Sequence, residues 1–288
     1  MIKELIISMR PRQWYKNLVI FVGIIFSFNL LNLNLWIDAI GAFAVFCALS
    51  GSIYILNDII DIEKDKNHPQ KKRRPIASKR LNPNYALAFA AIFIILALFV
   101  AYLINILFFI SALTFFMLIL IYSLFLKHFI IVDIMIISTG FVIRAISGCL
   151  AIDVLVSPWL IICAFLLSLF LAIGKRRHEL VLLGSDAGNH RKILNGYSTE
   201  MLDQMINITT SALIMSYSLY TFFTGKIFIM LTIPFAFYGL FRYIYLVHKE
   251  NFGGEPEMLF KDRGMLFSII LWVLLAVFVL YESVIFKF

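Results

Sequence analysis

The chain is much more apolar than a water-soluble protein of its length. Of its 288 residues, 62% are hydrophobic and 15% are charged, and the mean hydropathy is +0.93. Soluble domains carry roughly 45–50% apolar and about 25% charged residues, so this composition excludes a soluble globular fold. It also excludes a disordered chain, because so much apolar surface does not stay solvated. We therefore expect a polytopic membrane protein.

Long apolar stretches predict where the chain crosses the membrane. A helix needs about 20 residues to span roughly 30 Å of hydrocarbon. The first stretch is the weakest, because it is short and the polar residues 29–34 follow it. Together the stretches predict an all-α fold, with nine transmembrane helices in one integral membrane domain over residues 1–288. The predicted spans are 18–33, 36–56, 83–104, 106–126, 129–152, 158–175, 203–224, 227–247 and 265–285.

Basic residues lie mainly on one side of these spans. Of the 25 Lys and Arg residues, 21 precede the first span or follow an even-numbered one, mostly near residues 57–82, 175–202 and 248–264. Cytoplasmic loops carry an excess of Lys and Arg, so we expect the N-terminus and these loops in the cytoplasm and the C-terminus outside. The plasma (inner) membrane of a prokaryote is the expected location. Topology then explains most of the net charge of +8, and nucleic acid is not an expected partner.

Four oxygen-bearing side chains follow the second span, namely Asn57, Asp58, Asp61 and Asp65. If the helix continues through Asp65, an advance of 100° per residue puts all four on one arc of about 100°. Carboxylates packed this closely repel each other, so the pattern favours a bound cation. Oxygen ligands without His or Cys suit Mg²⁺, which is often shared with substrate phosphates. The alternative is a solvated acidic helix end.

A basic run follows directly and extends from Lys66 to Arg74, with His68 inside it. The run can anchor the chain to anionic lipids, at about 1 kcal/mol per charge. It can also bind the remaining oxygens of a metal-bound diphosphate, and both interpretations stay open. In the second case, Lys71 and Arg74 are the members expected to face the site.

The spacing of Asn57, Asp61 and Asp65 resembles the NxxxDxxxD signature of the UbiA superfamily of intramembrane prenyltransferases. Over nearly the whole chain, the sequence is similar to the decaprenyl-phosphate phosphoribosyltransferase branch. This resemblance implies nine transmembrane helices around a lateral cavity. It also implies Mg²⁺-dependent transfer of 5-phosphoribose from phosphoribosyl diphosphate to a polyprenyl phosphate. The matching stretches include 10–17 (RPRQWYKN), 57–65, 74–77 (RPIA), 140–145 (GFVIRA), 157–159 (SPW) and 174–176 (GKR).

The end of the sixth span departs from the pattern of family members that use prenyl diphosphates. Those relatives carry a second Asp-rich motif there, whereas residues 174–179 of this chain read GKRRHE. We therefore expect Lys175 and Arg176 to bind a phosphate monoester, either the 5-phosphate of the donor or the head of the lipid acceptor. The alternative is a pair of anchor charges, with Lys175 and Glu179 one helical turn apart.

Three further cations are candidates for substrate binding. Arg144 lies deep in the fifth span, where an arginine facing lipid costs at least ~2.5–3.5 kcal/mol, so it must face protein, water or a ligand. A structural contact between helices is its alternative role. Lys16, before the first span, and Lys127, after the fourth, complete a cytoplasmic ring of basic residues. Each of these lysines can also be an ordinary topological charge.

These residues lead to one expected reaction and two rivals. Asp58, Asp61 and Asp65, with Asn57, would hold Mg²⁺ against the diphosphate while the anomeric C–O bond breaks. The first rival is conventional transfer of a prenyl group from its diphosphate to an aromatic or glycerol-phosphate acceptor. The missing second Asp-rich motif argues against it. The second rival is a transporter of a phosphorylated metabolite, and the short outer loops argue weakly against that class.

Overall fold

The computed structural model describes residues 1–67, 71–184, 192–249 and 261–285, and these ranges are mainly helical, as predicted. Short 3₁₀ helices occur at Pro11–Phe21, Lys71–Arg73, Leu126–His128, Lys192–Gly196 and Ile227–Thr232. The α-helices are α1 (Ile2–Ser8), α2 (Val22–Phe26), α3 (Leu33–Ile60), α4 (Ile62–Lys66), α5 (Pro83–Ile104), α6 (Ile106–Leu124), α7 (Val132–Ala151), α8 (Pro158–Leu183), α9 (Thr199–Phe223), α10 (Ile233–Lys249) and α11 (Arg263–Ile285).

Seven helical segments of the described chain are long and apolar enough to cross a membrane. This finding supports the prediction of an integral membrane protein, but it does not confirm the number of nine spans. The seven segments are Leu33–Ile60, Pro83–Ile104, Ile106–Leu124, Val132–Ala151, Pro158–Leu183, Ile227–Lys249 and Arg263–Glu282.

The other two predicted spans have different structures. Residues 18–33 do not form one helix, because a 3₁₀ helix leads into the five-residue α2 and the chain then turns at Phe28, where φ is 62°. Residues 203–224 fall almost entirely within α9, which is one 25-residue helix. Polar side chains such as Asn207, Thr209 and Thr210 lower its hydropathy, and it is not among the seven segments.

Polar side chains mark the starts of several helices. The side chain of Asn82 accepts a hydrogen bond from the amide of Asn84, and Pro83 occupies the first turn of α5. Asn105 alone separates α5 from α6, and its side chain accepts from the amide of Phe108. Ser198 caps α9 in the same way. Such caps satisfy amide groups that lack a partner inside the helix, so they set where each helix begins.

The chain divides into two compact units by its internal contacts. The N-terminal unit comprises Met1–Phe125 and Ile143–Val156, and the C-terminal unit comprises Leu126–Val142 and Ser157–Phe288. Helix α7 contributes residues to both units. The prediction of a single membrane domain over residues 1–288 stays a prediction.

The core of the N-terminal unit forms around Phe46, Phe108 and Phe115, which are fully buried. The ring centroids of Phe46 and Phe115 lie 4.9 Å apart. Gly148 allows the backbone of Ile20 to approach α7, because a Cβ atom at residue 148 would lie 2.0 Å from the Ile20 carbonyl oxygen. The 3₁₀ segment Pro11–Phe21 is thereby packed against α7, which brings Asn17 close to Arg144 on that helix.

The core of the C-terminal unit joins α8 to α10. The rings of Phe170 and Tyr243 lie 4.7 Å apart, and both residues are buried. Gly174 makes this contact possible, because a Cβ atom there would lie 2.2 Å from the hydroxyl oxygen of Tyr243. The packing holds the end of α8, which carries Lys175 and Arg176.

Candidate active site

The predicted carboxylates lie where α3 ends, but the helix does not continue through them as expected. Helix α3 ends at Ile60, and Asp61 has φ −93° and ψ 14°, before the short α4 begins. The amide of Asp61 still bonds to the Asn57 carbonyl at 2.9 Å, and the amide of Asp65 bonds to the Asp61 carbonyl at 2.8 Å. The break at Asp61 leaves the side chains of Asp58 and Asp65 buried, while that of Asp61 is 24% exposed.

Arg74 connects the two buried carboxylates. Its Nη1 atom donates to Oδ1 of Asp58 at 3.1 Å and to Oδ2 of Asp65 at 2.5 Å. This contact places Arg74 beside the carboxylates, and its role in binding a diphosphate stays a prediction. Lys64 lies 3.6 Å from Oδ1 of Asp61.

Arg10 is a further member of this cluster that sequence reasoning did not assign. Its Nη2 atom donates to Oδ1 of Asp58 at 2.5 Å, and its guanidinium lies 4.7 Å from the ring centroid of Tyr54. Arg10 reaches this position from the turn before the 3₁₀ helix, where its φ is 52°. The only signal in the sequence was its place at the start of the RPRQWYKN stretch.

Lys71 also lies within electrostatic reach of the carboxylates. Lys71 is exposed as a whole, but its ammonium group is partly removed from water. This partial burial is the main reason that the pKa of Lys71 is lowered, and the charge of Arg74 lowers it further. The charges of Asp65 and Asp61 oppose this effect. His68 of the basic run lies outside the described residues.

The chemistry of these side chains fits a magnesium site. Asn57 and the three aspartates offer only oxygen ligands, and two of the carboxylates already share one cation, the guanidinium of Arg74. No three acidic, His or Cys side chains converge as a ready ligand set in the part of the chain that the structure describes. Asp58 and Asp65 converge on Arg74 instead. Metal binding by Asn57, Asp58, Asp61 and Asp65 therefore stays a prediction.

Arg144 faces protein, which is one of the three environments that its depth in the fifth span allowed. The residue is 9% exposed, and its Nε atom donates to Oδ1 of Asn17 at 2.8 Å. The guanidinium also lies 4.3 Å from the ring centroid of Phe115. Asn17 is itself buried, and its amide group donates to Sγ of Cys47 at 3.3 Å. These contacts support the structural role, and substrate binding by Arg144 stays a prediction.

In the C-terminal unit, Arg176 is part of a buried ion-pair network. Its Nε atom donates to Oδ2 of Asp133 at 2.8 Å, and its Nη1 atom donates to Glu179. Glu179 thus pairs with Arg176, its neighbour three residues earlier in α8. Arg176 is 2% exposed, whereas its neighbour Lys175 is half-buried. The side chain of Lys175 is therefore the more accessible of the two predicted phosphate ligands.

Tyr197 completes this network and was not found from the sequence. Its hydroxyl donates to Oδ1 of Asp133 at 3.0 Å and accepts from the amide of Ile131 at 2.7 Å. Ile131 has φ 68°, so the hydroxyl holds a strained turn at the start of α7. Burial is the main reason that the pKa of Tyr197 is raised to about 12.

The two remaining predicted ligands lie in short 3₁₀ helices. Lys16 lies in the segment Pro11–Phe21, with its Nζ atom 5.9 Å from the ring centroid of Tyr15. Lys127 lies in Leu126–His128, and both lysines are half-buried. Their predicted contacts with substrate stay predictions.

Comparison with known proteins gives relatives over nearly the full length of the chain. The decaprenyl-phosphate phosphoribosyltransferase of Mycolicibacterium smegmatis is 30% identical, over 95% of this chain and 91% of that protein. The enzyme of the same name from Corynebacterium glutamicum is 29% identical, over 95% and 86%. The one from Mycobacterium tuberculosis is 27% identical, over 92% and 90%.

Solved structures show the same fold. The structure of a UbiA homologue from Archaeoglobus fulgidus bound to GPP and Mg²⁺ has a TM-score of 0.73 at 16% identity, and the match covers 96% of this chain and 99% of that one. A structure of digeranylgeranylglyceryl phosphate synthase has a TM-score of 0.67 at 19% identity, with 97% of each chain covered.

The sequence model of the UbiA prenyltransferase family matches residues 18–270. This range contains the carboxylates after α3 and the basic end of α8, and it includes six of the seven membrane-length segments completely and the first part of the seventh. The resemblance predicted from the spacing of Asn57, Asp61 and Asp65 is therefore confirmed, and the chain is an integral membrane protein that belongs to the UbiA prenyltransferase family.

Proposed function

We propose that the chain is a UbiA-type transferase that moves 5-phosphoribose from phosphoribosyl diphosphate to a polyprenyl phosphate and releases diphosphate. The observation that carries this proposal is the nearly full-length match to three relatives named decaprenyl-phosphate phosphoribosyltransferase. The end of α8 supports it, because Lys175 offers a half-buried cation for a phosphate group at the place where, by the family resemblance, prenyl-diphosphate users carry carboxylates.

In this proposal the carboxylate cluster is the Mg²⁺ site. Asn57, Asp58, Asp61 and Asp65 would hold the ion, and their oxygen chemistry supports that assignment. When bound, Mg²⁺ would neutralise charge on the diphosphate as it leaves. The homologue from Archaeoglobus fulgidus, which has this fold, is bound to GPP and Mg²⁺.

The side chains of the protein supply charge and position in this reaction. An oxygen of the lipid phosphate forms a bond to the anomeric carbon while the bond from that carbon to the diphosphate oxygen breaks. The attacking phosphate is already ionised near pH 7, so the reaction requires no strong general base. Arg74 and Lys71 carry positive charge beside the carboxylates, where they can stabilise the leaving diphosphate. Catalysis then depends mainly on positioning and electrostatic stabilisation.

We assign the remaining cations to the phosphate groups of the two substrates. Lys175 is the proposed phosphate ligand of the C-terminal unit, because it is half-buried and its neighbour Arg176 is bonded to two carboxylates. Arg176 then acts by holding the end of α8 in place. Lys16, Lys127 and Arg144 are proposed to contact phosphate oxygens. The apolar helices would hold the isoprenoid tail.

The proposed orientation puts the N-terminus and the carboxylate cluster in the cytoplasm, and the C-terminus outside. The distribution of Lys and Arg supports it, as does the polarity of phosphoribosyl diphosphate, which does not cross membranes unaided. We propose the plasma membrane of a prokaryote as the location. Labelling of a cysteine introduced at exposed Lys72 with a membrane-impermeant reagent tests this orientation. We expect labelling in inverted vesicles, and labelling in intact cells would contradict it.

The proposed reaction is tested with purified protein in lipid nanodiscs. One sample receives phosphoribosyl diphosphate labelled in the ribose, with a polyprenyl phosphate. A second receives labelled prenyl diphosphate, with an aromatic or glycerol-phosphate acceptor. We expect label in a lipid product only in the first sample and only with Mg²⁺. Label transfer only in the second sample would instead establish a conventional prenyltransferase. Uptake of unchanged donor into proteoliposomes, with no lipid product, would indicate a transporter.

A further inference from the structure

Two buried carboxylates and two partly exposed guanidinium groups lie together at the end of α3. Asp58 and Asp65 have side chains that are 2% and 3% exposed, whereas those of Arg10 and Arg74 are 30% and 27% exposed. The cations therefore extend further toward solvent than the carboxylates that they bind. Each buried carboxylate needs a positive partner, because an unpaired charge in a poorly solvated place is strongly unfavourable.

The arginines bind the same oxygens that a metal ion would use. Oδ1 of Asp58 accepts from both arginines, and Oδ2 of Asp65 accepts from Arg74. A divalent cation on these oxygens would compete with Arg74 for its hydrogen-bond acceptors and would repel its charge. Arg74 cannot therefore keep both of its present partners when the carboxylates bind a metal.

The displaced guanidiniums would then need a new anion. Arginine binds phosphate oxygens in a forked geometry, and the exposed side of both guanidiniums is available for movement toward solvent. Inorganic diphosphate or the diphosphate of the donor offers such oxygens. Without that anion, the carboxylates would neutralise the metal, and the two arginines beside it would lack their anionic partners.

We propose that Arg10 and Arg74 are exchangeable partners that couple metal binding to diphosphate binding. With neither ligand present, the arginines neutralise Asp58 and Asp65. With both present, the carboxylates bind the metal and the arginines bind the diphosphate. Metal and diphosphate each bind weakly alone and strongly together, and by linkage each raises the affinity for the other by the same factor. This inference rests on the proposed function for the location of the metal.

Direct binding measurements test this coupling without any turnover. The probe is Mn²⁺, whose free concentration is followed by electron paramagnetic resonance with the full-length protein in nanodiscs, and inorganic diphosphate is the second ligand. Samples without protein correct for the Mn²⁺–diphosphate complex in solution. In wild type, we expect diphosphate to raise the Mn²⁺ affinity by about 10- to 100-fold, within the usual range of coupling between sites.

The variant Arg74→Gln removes the exchangeable partner of both carboxylates. We expect it to bind Mn²⁺ alone at least about threefold more tightly than wild type and to show coupling below about threefold. The matched control is Arg73→Gln, which removes the same charge from an exposed neighbour and should retain both wild-type values. If Arg74→Gln does not fold, Arg74→Lys takes its place, and the expected change is then a loss of coupling alone, because lysine keeps the charge but lacks the fork of donors that binds diphosphate.

Two results would overturn the proposal. The first is an Arg74 variant with wild-type Mn²⁺ affinity and wild-type coupling. The second is diphosphate that leaves Mn²⁺ affinity unchanged or lowers it in the wild-type protein. Failure of the proposed function is distinguishable from these results. Strong coupling without any phosphoribosyl transfer would support the exchange of arginine partners and reject the proposed reaction. Transfer without coupling would support the proposed reaction and reject the exchange.

Discussion

Arg176 and Asp133 form an ion pair in the interior of the C-terminal unit, with Nε of the arginine 2.8 Å from Oδ2 of the aspartate and both side chains at most 3% exposed. The two residues are 43 positions apart in sequence, and the pair joins the end of α8 to the start of α7. An arginine in this environment contributes mainly to structure. This relationship changes the expected effect of mutating Arg176 from a loss of substrate binding to a loss of stability.

Arg176→Gln should lower the free energy of unfolding by about 3–5 kcal/mol, because it leaves the buried Asp133 without its cation. Unfolding by SDS in mixed micelles measures the change. The control is Arg177→Gln, whose pair with the partly exposed Asp203 should contribute about 1 kcal/mol or less. Adding Asp133→Asn to Arg176→Gln should recover part of the loss. Equal losses for Arg176→Gln and Arg177→Gln would contradict the prediction.

Lys175→Gln should weaken binding of one phosphate-bearing substrate and leave the other nearly unchanged. Loss of a hydrogen bond to a charged group corresponds to ~1.5–3 kcal/mol, or roughly a 10- to 150-fold rise in the Michaelis constant. Steady-state kinetics with each substrate varied in turn measure the effect. Lys64→Gln is the control, since it removes the same charge from a side chain that is 77% exposed. Equal changes of less than about twofold for both substrates would remove the phosphate role from Lys175.

Asp61→Asn should abolish turnover while the protein remains folded. The substitution removes one negative charge from a proposed metal ligand at nearly constant shape, and loss of such a ligand normally reduces activity far more than tenfold. The assay is phosphoribosyl transfer, with thermal unfolding as the check on folding. Glu63→Gln changes a neighbouring exposed acid that pairs with Lys66, and it should keep wild-type activity. Activity above roughly a tenth of wild type in Asp61→Asn would reject metal ligation by this residue.

Tyr197→Phe should cost stability at neutral pH and less at high pH. Because burial raises the pKa of Tyr197 from 10.0 to about 12, the folded protein holds the phenolic proton more tightly than the unfolded chain. That stabilisation is complete below pH 10 and is lost as the pH rises through about 12. Melting temperatures of wild type and Tyr197→Phe, compared over this interval, should therefore converge. A constant difference in melting temperature would show that ionisation of Tyr197 does not affect stability.

Asn17→Ala should destabilise the protein by about 1.5–3 kcal/mol, because Arg144 loses a buried hydrogen-bond acceptor. The control is Ser50→Ala in α3. The Ser50 hydroxyl is buried with no hydrogen-bond partner among the described residues, so its removal should change stability by less than about 0.5 kcal/mol. Unfolding in mixed micelles compares the two variants. A loss in Ser50→Ala that matches Asn17→Ala would argue against a specific role for the amide.

Several properties of this protein could be predicted from the sequence because they depend on local chemistry. Apolar stretches partition into the membrane residue by residue, so seven of the nine predicted spans coincide with membrane-length helices. The spacing of Asn57, Asp61 and Asp65 is a property of one segment, and it identified the family. The depth of Arg144 in its span likewise predicted that its side chain would not face lipid.

Tertiary structure decided which polar and charged side chains meet. Arg10 pairs with Asp58 across 48 positions, Arg144 with Asn17 across 127, and Tyr197 with Asp133 across 64. Helical periodicity relates residues only within one helix, so it could not find these partners. The prediction for the carboxylates also assumed an unbroken helix through Asp65. The helix instead breaks at Asp61, and Asp58 and Asp65 are both buried and both accept hydrogen bonds from Arg74. Only the packing of separate segments makes Arg74 the shared partner of two carboxylates and Arg176 a buried structural cation.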